Sequence, residues 1–461
     1  MSPAPRRHPN RAAVRSAPTA VSTPDSTDPP AGSDQTRRRL QLLELIAHRQ
    51  WVPLAGYGFY VALLTAGYYY NLTFVQLGLI DLGTTRLGMT GRSVSLVMAV
   101  LALVALAVSV ATGVVMDRRG WSGDLRVKLR LLTVVTAVQL TLTVIAPLLA
   151  TAVGLVGWVV VCAATIGVGM PVTFSFMADL IPVRDRGFAA AVPAGLAFFV
   201  AALYPQQWRV EEFSVVMAAA MTPAVVVLAL LAFRPSRLVD RLATQQARFG
   251  PGRFTRPPAP TVSTPAFALI VAAMFAVFFI DSLGFLRIID TPAYITTSWQ
   301  SPEIGVRVFI AVAHIVGAAI AGVLYTTFDW RWLLVWVYGL FGFTHLLYTF
   351  HLRTAADAVP PLVLPGMYVL AVAFYTTLNF ALWPDLSTRD TIGTRCAIGV
   401  GVAGWLASFS STSLALYSDA AGVSLLTHLR YVDALALLLV AAVPLLLYAA
   451  RVRTVARQEP T

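Results

Sequence analysis

An all-α integral membrane protein, with twelve transmembrane helices in two pseudo-symmetric six-helix bundles, is what this sequence of 461 residues predicts. Three observations carry that prediction. Apolar residues make up 57% of the chain and charged residues only 12%, half of the roughly 25% found in soluble domains, so lipid is the expected solvent for most of it. From Trp51 onward the apolar residues gather into twelve stretches, each long enough for the roughly 20 residues that a 30 Å hydrocarbon core requires. The longest internal polar interruption, residues 234–265, falls after the sixth stretch and divides the chain six plus six.

Residues 1–50 are rich in Pro, Ser, Thr, Ala and Arg without helical periodicity, and are expected to form a disordered cytoplasmic tail. No signal-peptide core follows the early arginines, so the first apolar run reads as an uncleaved helix. The spans, numbered here as helices 1 to 12, are 52–80, 92–116, 129–150, 153–178, 187–206, 213–233, 266–289, 305–326, 332–350, 362–383, 394–417 and 430–450. The first six give an N-terminal bundle over 51–233, and the last six a C-terminal bundle over 266–451. A cytoplasmic linker at 234–265 and a C-terminal tail at 452–461 complete the chain. Within the linker, residues 238–249 are amphipathic enough for a short helix on the membrane surface, and equally consistent with a flexible connection.

The net charge of +12 is almost all arginine, with Lys128 the sole lysine. On the side opposite the tail, the loops hold only Arg86, Arg92, Arg209, Arg353 and Arg430, while Arg287 and Arg307 lie in or beside helices 7 and 8. Positive residues are retained on the cytoplasmic side during insertion. Both termini are therefore expected in the cytoplasm, and the expected location is a bacterial plasma (inner) membrane. The basic excess then serves topology and contact with the lipid bilayer, and calls for no nucleic acid. Cys162 and Cys396 sit far apart in apolar runs, so neither a disulfide framework, a metal site nor a cofactor is expected.

The loop after helix 2 reads Gly113-Val-Val-Met-Asp117-Arg118-Arg119-Gly120. This resembles the G-x-x-x-D-R-x-G loop of the major facilitator superfamily, in position as well as in letters, and the twelve helices, six-plus-six division and basic central loop extend the resemblance over the whole membrane region. It implies a conformational latch built on Gly113, Asp117 and Arg118. Arg119, Arg126, Lys128 and Arg130 read instead as a solvated basic turn. A faint internal repeat places Asp179, Arg184 and Arg186 after helix 4, and Asp385 and Arg389 after helix 10, as further latch residues. The matching loop after helix 8 has Thr326 where an acidic residue would fall, so the second latch is expected to be degenerate or absent. Helices 4 and 5 lack the arginine and the Gly-Pro run of the superfamily's proton-coupled drug antiporters, and no drug-efflux role is assigned.

The resemblance also implies that helices 1, 4, 7 and 10 line a central cavity. Its candidate lining is Tyr69, Tyr70, Asn71, Thr73 and Gln76 on helix 1, Thr173 and Ser175 on helix 4, and Tyr375, Asn379 and Trp383 on helix 10. Amides and hydroxyls among rings suit a neutral or zwitterionic organic molecule. Ionisable residues at membrane depth are costly and mark sites by default; here they are Asp281, Arg287 and Asp290 on helix 7, and Arg307 and His314 on helix 8. Two readings stay open for the acids and arginines: an outer gate or proton-coupling carboxylate, or a permanent ion pair pinning helix 7 to helix 8. For His314 they are a proton relay or a histidine held in a helix interface. Asp81 is expected to reach interfacial water.

The expected function is secondary active or facilitative transport of a small organic solute by alternating access, with a proton as possible coupling ion, and not enzyme catalysis. The alternative is a non-transporting receptor or membrane-complex assembly factor on the same fold.

Overall fold

The computed structural model describes residues 41–203, 209–245, 262–289, 291–328, 330–355 and 358–456, with Leu40–Thr461 forming one compact unit. Helices 2 to 6 run Gly91–Arg118, Leu125–Ile145, Ala152–Leu180, Arg186–Leu203 and Val210–Phe233. Helices 7 to 12 run Thr264–Ile289, Ile304–Thr327, Trp330–Thr354, Val363–Asp385, Ile392–Ala420 and Leu425–Ala456. These eleven are long and apolar enough to cross a membrane. Helix 1 is the tyrosine-rich exception in hydropathy: it starts as Trp51–Tyr69, passes into a π-helical segment Tyr70–Leu77, and reaches Arg86 through a second one, Leu82–Arg86. A third π-helical segment, Gly399–Leu406, lies inside helix 11. Such widened turns are rare and gather at functional sites.

Local chemistry starts the helices where the sequence provides an acceptor. Thr90 accepts from the Ser93 amide, Asp124 from the amides of Arg126 and Val127, and Thr151 from that of Gly154. Each such cap contributes about 1 kcal/mol. Asp81 serves as a cap at a distance: its carboxylate accepts from the Val210 amide (3.0 Å) at the start of helix 6, rather than reaching interfacial water.

Two segments outside the twelve spans are folded. Gln41–Ala47, inside the stretch expected to be disordered, is a short helix whose first amides, Gln41 and Leu42, donate to the carboxylate of Asp185 (2.9 and 2.7 Å) and whose Leu45 is fully buried. Periodicity over seven residues is too short to reveal it, and its cap comes from 144 residues away. In the linker, Arg237–Ala243 forms a helix with Val239 and Leu242 buried, seated against helix 1 at Gly56. Residues 246–261 lie outside those described.

The two halves meet along two seams. Helix 5 packs extensively on helix 8, and helix 2 packs on all three segments of helix 11. Small residues let backbones approach in both: a Cβ on Gly195 would lie 3.2 Å from the Ile315 Cα, and one on Gly322 would lie 3.0 Å from the Ala191 Cβ. Within the C-terminal half, Trp383 is fully buried and leaves no room above Gly399, where a Cβ would come within 2.1 Å of the indole. Gly399→Ala should therefore lower stability by about 1–3 kcal/mol, the usual cost of overpacking. Thermal unfolding in nanodiscs checks this, and Trp383→Leu in the same chain should recover part of the loss.

Candidate functional site

The loop after helix 2 closes one face of the molecule, the one from which helix 1 starts and at which helix 12 ends. Gly120 takes φ +69°, the left-handed conformation that lets the chain turn sharply after helix 2. Asp117, one turn earlier, points across the junction: its carboxylate accepts from the amides of Gly393 (2.9 Å) and Thr394 (2.7 Å) at the start of helix 11, and from the Ser122 hydroxyl (2.5 Å). An anion at a helix N-terminus satisfies orphan amides and the helix dipole together. Gly113 makes the approach possible, since a Cβ there would sit 2.5 Å from the Gly393 carbonyl oxygen. Beside it, Arg389 donates to the Gly123 carbonyl (3.2 Å), again from one half to the other.

Two buried ion pairs support this face. Arg186, at the start of helix 5, donates to Asp385 at the end of helix 10 (2.7 Å), with both side chains almost fully buried; the Tyr325 hydroxyl of helix 8 donates to the other Asp385 oxygen (2.7 Å). Lys128 is completely buried, paired with Asp179, donating to the Ser122 carbonyl (3.0 Å) and lying over the Phe176 ring. Ser122 thus joins the helix 3–helix 4 pair to the Asp117 junction. The expected solvated turn is overturned at Lys128, because Asp179 and the loop carbonyl replace water around its ammonium. The two repeat-related aspartates, Asp179 and Asp385, are also used differently, one within its half and one between halves.

Beyond this closed face lies a cavity of about 890 Å³ lined by both halves and reaching the helix 7–8 connection at Thr297–Trp299 on the opposite face. On the closed side it stops above Trp383, whose indole N–H donates to the Asn379 side-chain oxygen (2.7 Å). Tyr68 sits between the halves, edge-on to Phe380 of helix 10 (4.9 Å between centroids) and to Phe198 of helix 5 (5.7 Å). The π-helical segments of helices 1 and 11 both contribute lining, through Asn71 and Leu72 and through Val400 and Trp405.

Several solved structures share this arrangement. The chain matches the proton:xylose symporter XylE of E. coli, bound to 6-bromo-6-deoxy-D-glucose, with a TM-score of 0.56 over 84% of this chain and 94% of that one, at 13% identity. It matches a bacterial homologue of the iron transporter ferroportin, in an outward-facing state, with a TM-score of 0.54 over 84% and 98% of the two chains, also at 13% identity. The chain has the major facilitator fold. A partially occluded, inward-open structure of XylE gives a TM-score of 0.51 at 12% identity over 85% and 94% of the chains. No protein-family model matches the sequence, and no curated protein does.

Set in the major facilitator fold, the sequence candidates divide. Tyr69, Tyr70, Asn71, Thr173, Tyr375 and Asn379 line the cavity. Thr73 and Ser175 do not: both are fully buried in helix packing, their hydroxyls donating to the carbonyls of Tyr69 and Val172. Trp383 forms the floor's underside rather than its surface. The Gln76 side chain and Asp290 lie outside the described residues. Arg118 and Arg184 are exposed and stand apart from the junction, where Arg186 is the buried arginine.

Helix 7 differs most from its sequence reading. Asp281 faces the cavity, buried, and accepts hydrogen bonds from the hydroxyls of Tyr368 and of Tyr375 (2.5 Å) on helix 10. Arg287 pairs with Asp419 at the end of helix 11 and donates to the Val423 carbonyl just beyond it (3.0 Å each), a tie between helices 7 and 11 that the sequence did not suggest. Arg307 is half-buried in the first turn of helix 8, away from the cavity lining. His314 lines the cavity and stacks face to face on Phe198 of helix 5 (4.1 Å, 1° between planes), a position in the helix 5–8 seam. Sequence reasoning missed Tyr368, Phe285 and Trp405 as lining, because aromatic residues in apolar helices carry no signal of which way they face.

Asp117→Ala should loosen the closed face. Losing hydrogen bonds to a charged acceptor costs about 1.5–3 kcal/mol, which corresponds to roughly a tenfold or greater rise in the open population. Cys396, fully buried two residues beyond Thr394, reports it: in a Cys162→Ala chain, maleimide labelling of Cys396 should accelerate by that factor. Separately, Lys128→Met alone should cost about 3–5 kcal/mol, the usual effect of removing one member of a buried ion pair. Lys128→Met with Asp179→Leu should recover much of the loss, as read by thermal unfolding.

Proposed function

We propose that the protein is a secondary transporter that moves a small organic solute by alternating access, its two halves rocking about the central cavity. One observation supports this reading above the others: a cavity lined by both halves lies beside a face bridged by polar contacts that run from half to half. Breaking the Asp117 cap and the Arg186–Asp385 pair, and sliding the small-residue seams, would open that face without disturbing either half internally. In this reading Gly113, Asp117, Arg186, Asp385 and Arg389 act as the latch, and Tyr69, Tyr70, Asn71, Thr173, Tyr375 and Asn379 as solute lining. A proton is the coupling ion in this reading, since Asp281 is the one acidic side chain among the described lining residues, and His314 lines the same cavity. The closed face is the cytoplasmic one, by the distribution of arginine, and the membrane is a bacterial plasma membrane.

Flux in proteoliposomes tests the reading. A panel of labelled monosaccharides, amino acids and quaternary amines is offered with and without a pH gradient. At least one should accumulate only in vesicles that hold the protein, and Asp281→Asn should remove any dependence on the gradient. A reducible bis-maleimide cross-link across the latch, in a chain carrying Gly123→Cys, Arg389→Cys, Cys162→Ala and Cys396→Ala, should cut flux by about tenfold or more and release it on reduction, as a lock on one of two states requires. Absence of flux for every solute, together with a stoichiometric membrane partner in the purified sample, would instead favour a receptor or assembly role.

A further inference from the structure

The lining of the cavity is lopsided in charge. Among its described residues, Asp281 is the sole Asp, Glu, Lys or Arg, and it lies within rings on three sides. Tyr368 and Tyr375 donate to its two oxygens. Phe285 stacks on Tyr368 (5.2 Å, 6° between planes), and Phe278 meets Tyr375 edge-on (4.4 Å). Phe341 lies within 6 Å of both tyrosine rings, holding them in place from behind.

Each class of solute meets this lining differently. An anion would face a carboxylate with no described arginine or lysine to receive it. A zwitterion would leave its own carboxylate in the same position, buried and unpaired, which is costly. A polyol needs many directed polar groups, whereas two of the three amide side chains in the lining already hold a hydrogen bond each: the Asn71 amide donates to the Gly67 carbonyl (2.7 Å) and the Asn379 oxygen accepts from Trp383. An organic cation meets a complementary surface. Its charge is balanced by Asp281, ring faces attract it further, and an apolar body fits the remaining wall of Phe, Tyr, Val and Leu side chains.

We propose that the cavity binds an organic monocation, a protonated amine or quaternary ammonium on an apolar body, with its cationic head at Asp281 and the rings of Tyr368, Tyr375 and Phe285. The neutral or zwitterionic solute expected from helices 1, 4 and 10 gives way, because those helices left the helix 7 carboxylate out of the site. The inference rests on the reading of this cavity as the transported solute's site.

Binding at fixed pH, without any gradient, provides the test. Benzyltrimethylammonium, tetraethylammonium and 1-methylquinolinium are titrated into the full-length protein in nanodiscs by calorimetry, alongside the uncharged tert-butyl isostere of benzyltrimethylammonium. At least one cation should bind saturably, and the isostere about tenfold or more weakly than its charged counterpart. Asp281→Asn should lose about tenfold or more in affinity, and Asp281→Glu should keep most of it. Size-exclusion profiles and unfolding curves establish that each variant is folded, and Phe285→Ala, which leaves the carboxylate intact, should weaken cations more than the isostere. Equal binding to the wild type and a folded Asp281→Asn, isostere binding as tight as the cation's, or no saturable cation binding at millimolar concentration would each overturn the proposal. Flux of a monosaccharide with no cation bound would sink this inference and leave the transport reading standing. A cation that binds and is never moved would do the reverse.

Discussion

The carboxylate of Asp117, set on two backbone amides of helix 11, is the contact on which the closed face depends. It joins the start of helix 11 to the end of helix 2, across the junction of the two halves. Its geometry requires a bare Gly113 beneath it, a left-handed Gly120 to turn the loop, and the Ser122 hydroxyl to fix one oxygen. Lys128 holds that loop from the other side and ties it to helix 4 through Asp179. The motif therefore acts as one end of a chain of polar groups running from helix 4, through helix 3, to helix 11. The Arg186–Asp385 pair provides a second clamp nearby. Such buried pairs add little net stability over apolar packing, but they favour one arrangement of the halves over others.

Most of the fold was legible because hydrophobic stretches and turn residues are local signals. Eleven of the twelve spans met a plain length-and-hydropathy test, and the tyrosines that exempted helix 1 also mark its role in the cavity. The site was legible only in part. The motif announced Asp117, but its partners are backbone amides, which no letter in the sequence encodes. Sequence offered Asp281 a gate, a proton or an arginine; its partners are tyrosines 87 and 94 positions away, brought to it by helix 10. Lys128 looked like one more basic residue in a turn, because burial is a property of the assembled halves. Arg186 and Arg184 are indistinguishable by composition, and only the register of helix 5 turns the former inward. Thr73 and Ser175 were polar letters whose hydroxyls bond to their own helix, an arrangement that makes a polar residue tolerable in lipid without making it available.

The cavity and the closed face are linked through backbone form. Where helices 1 and 11 border the cavity they widen into π-helical turns, leaving carbonyl and amide geometry less regular than in neighbouring helices. Helix 11 carries the capped amides at its start and its π-helical segment just beyond, with Gly399 under the Trp383 indole between them. Latch, cavity floor and lining thus share one continuous element, and a rotation of that element reaches all three.

The seam between helices 5 and 8 also bears on how the protein is made. Gly187, Ala191 and Gly195 on the one, and Ala318 and Gly322 on the other, present little more than backbone to each other. The chain is synthesised from its N-terminus, so helix 5 enters the bilayer well before helix 8, with the linker and helix 7 still to come. During that interval its strip of small residues faces acyl chains that fill it poorly. The first bundle reaches its final packing only when the second supplies the complementary strip, so the seam between the halves is the last surface of the fold to be completed.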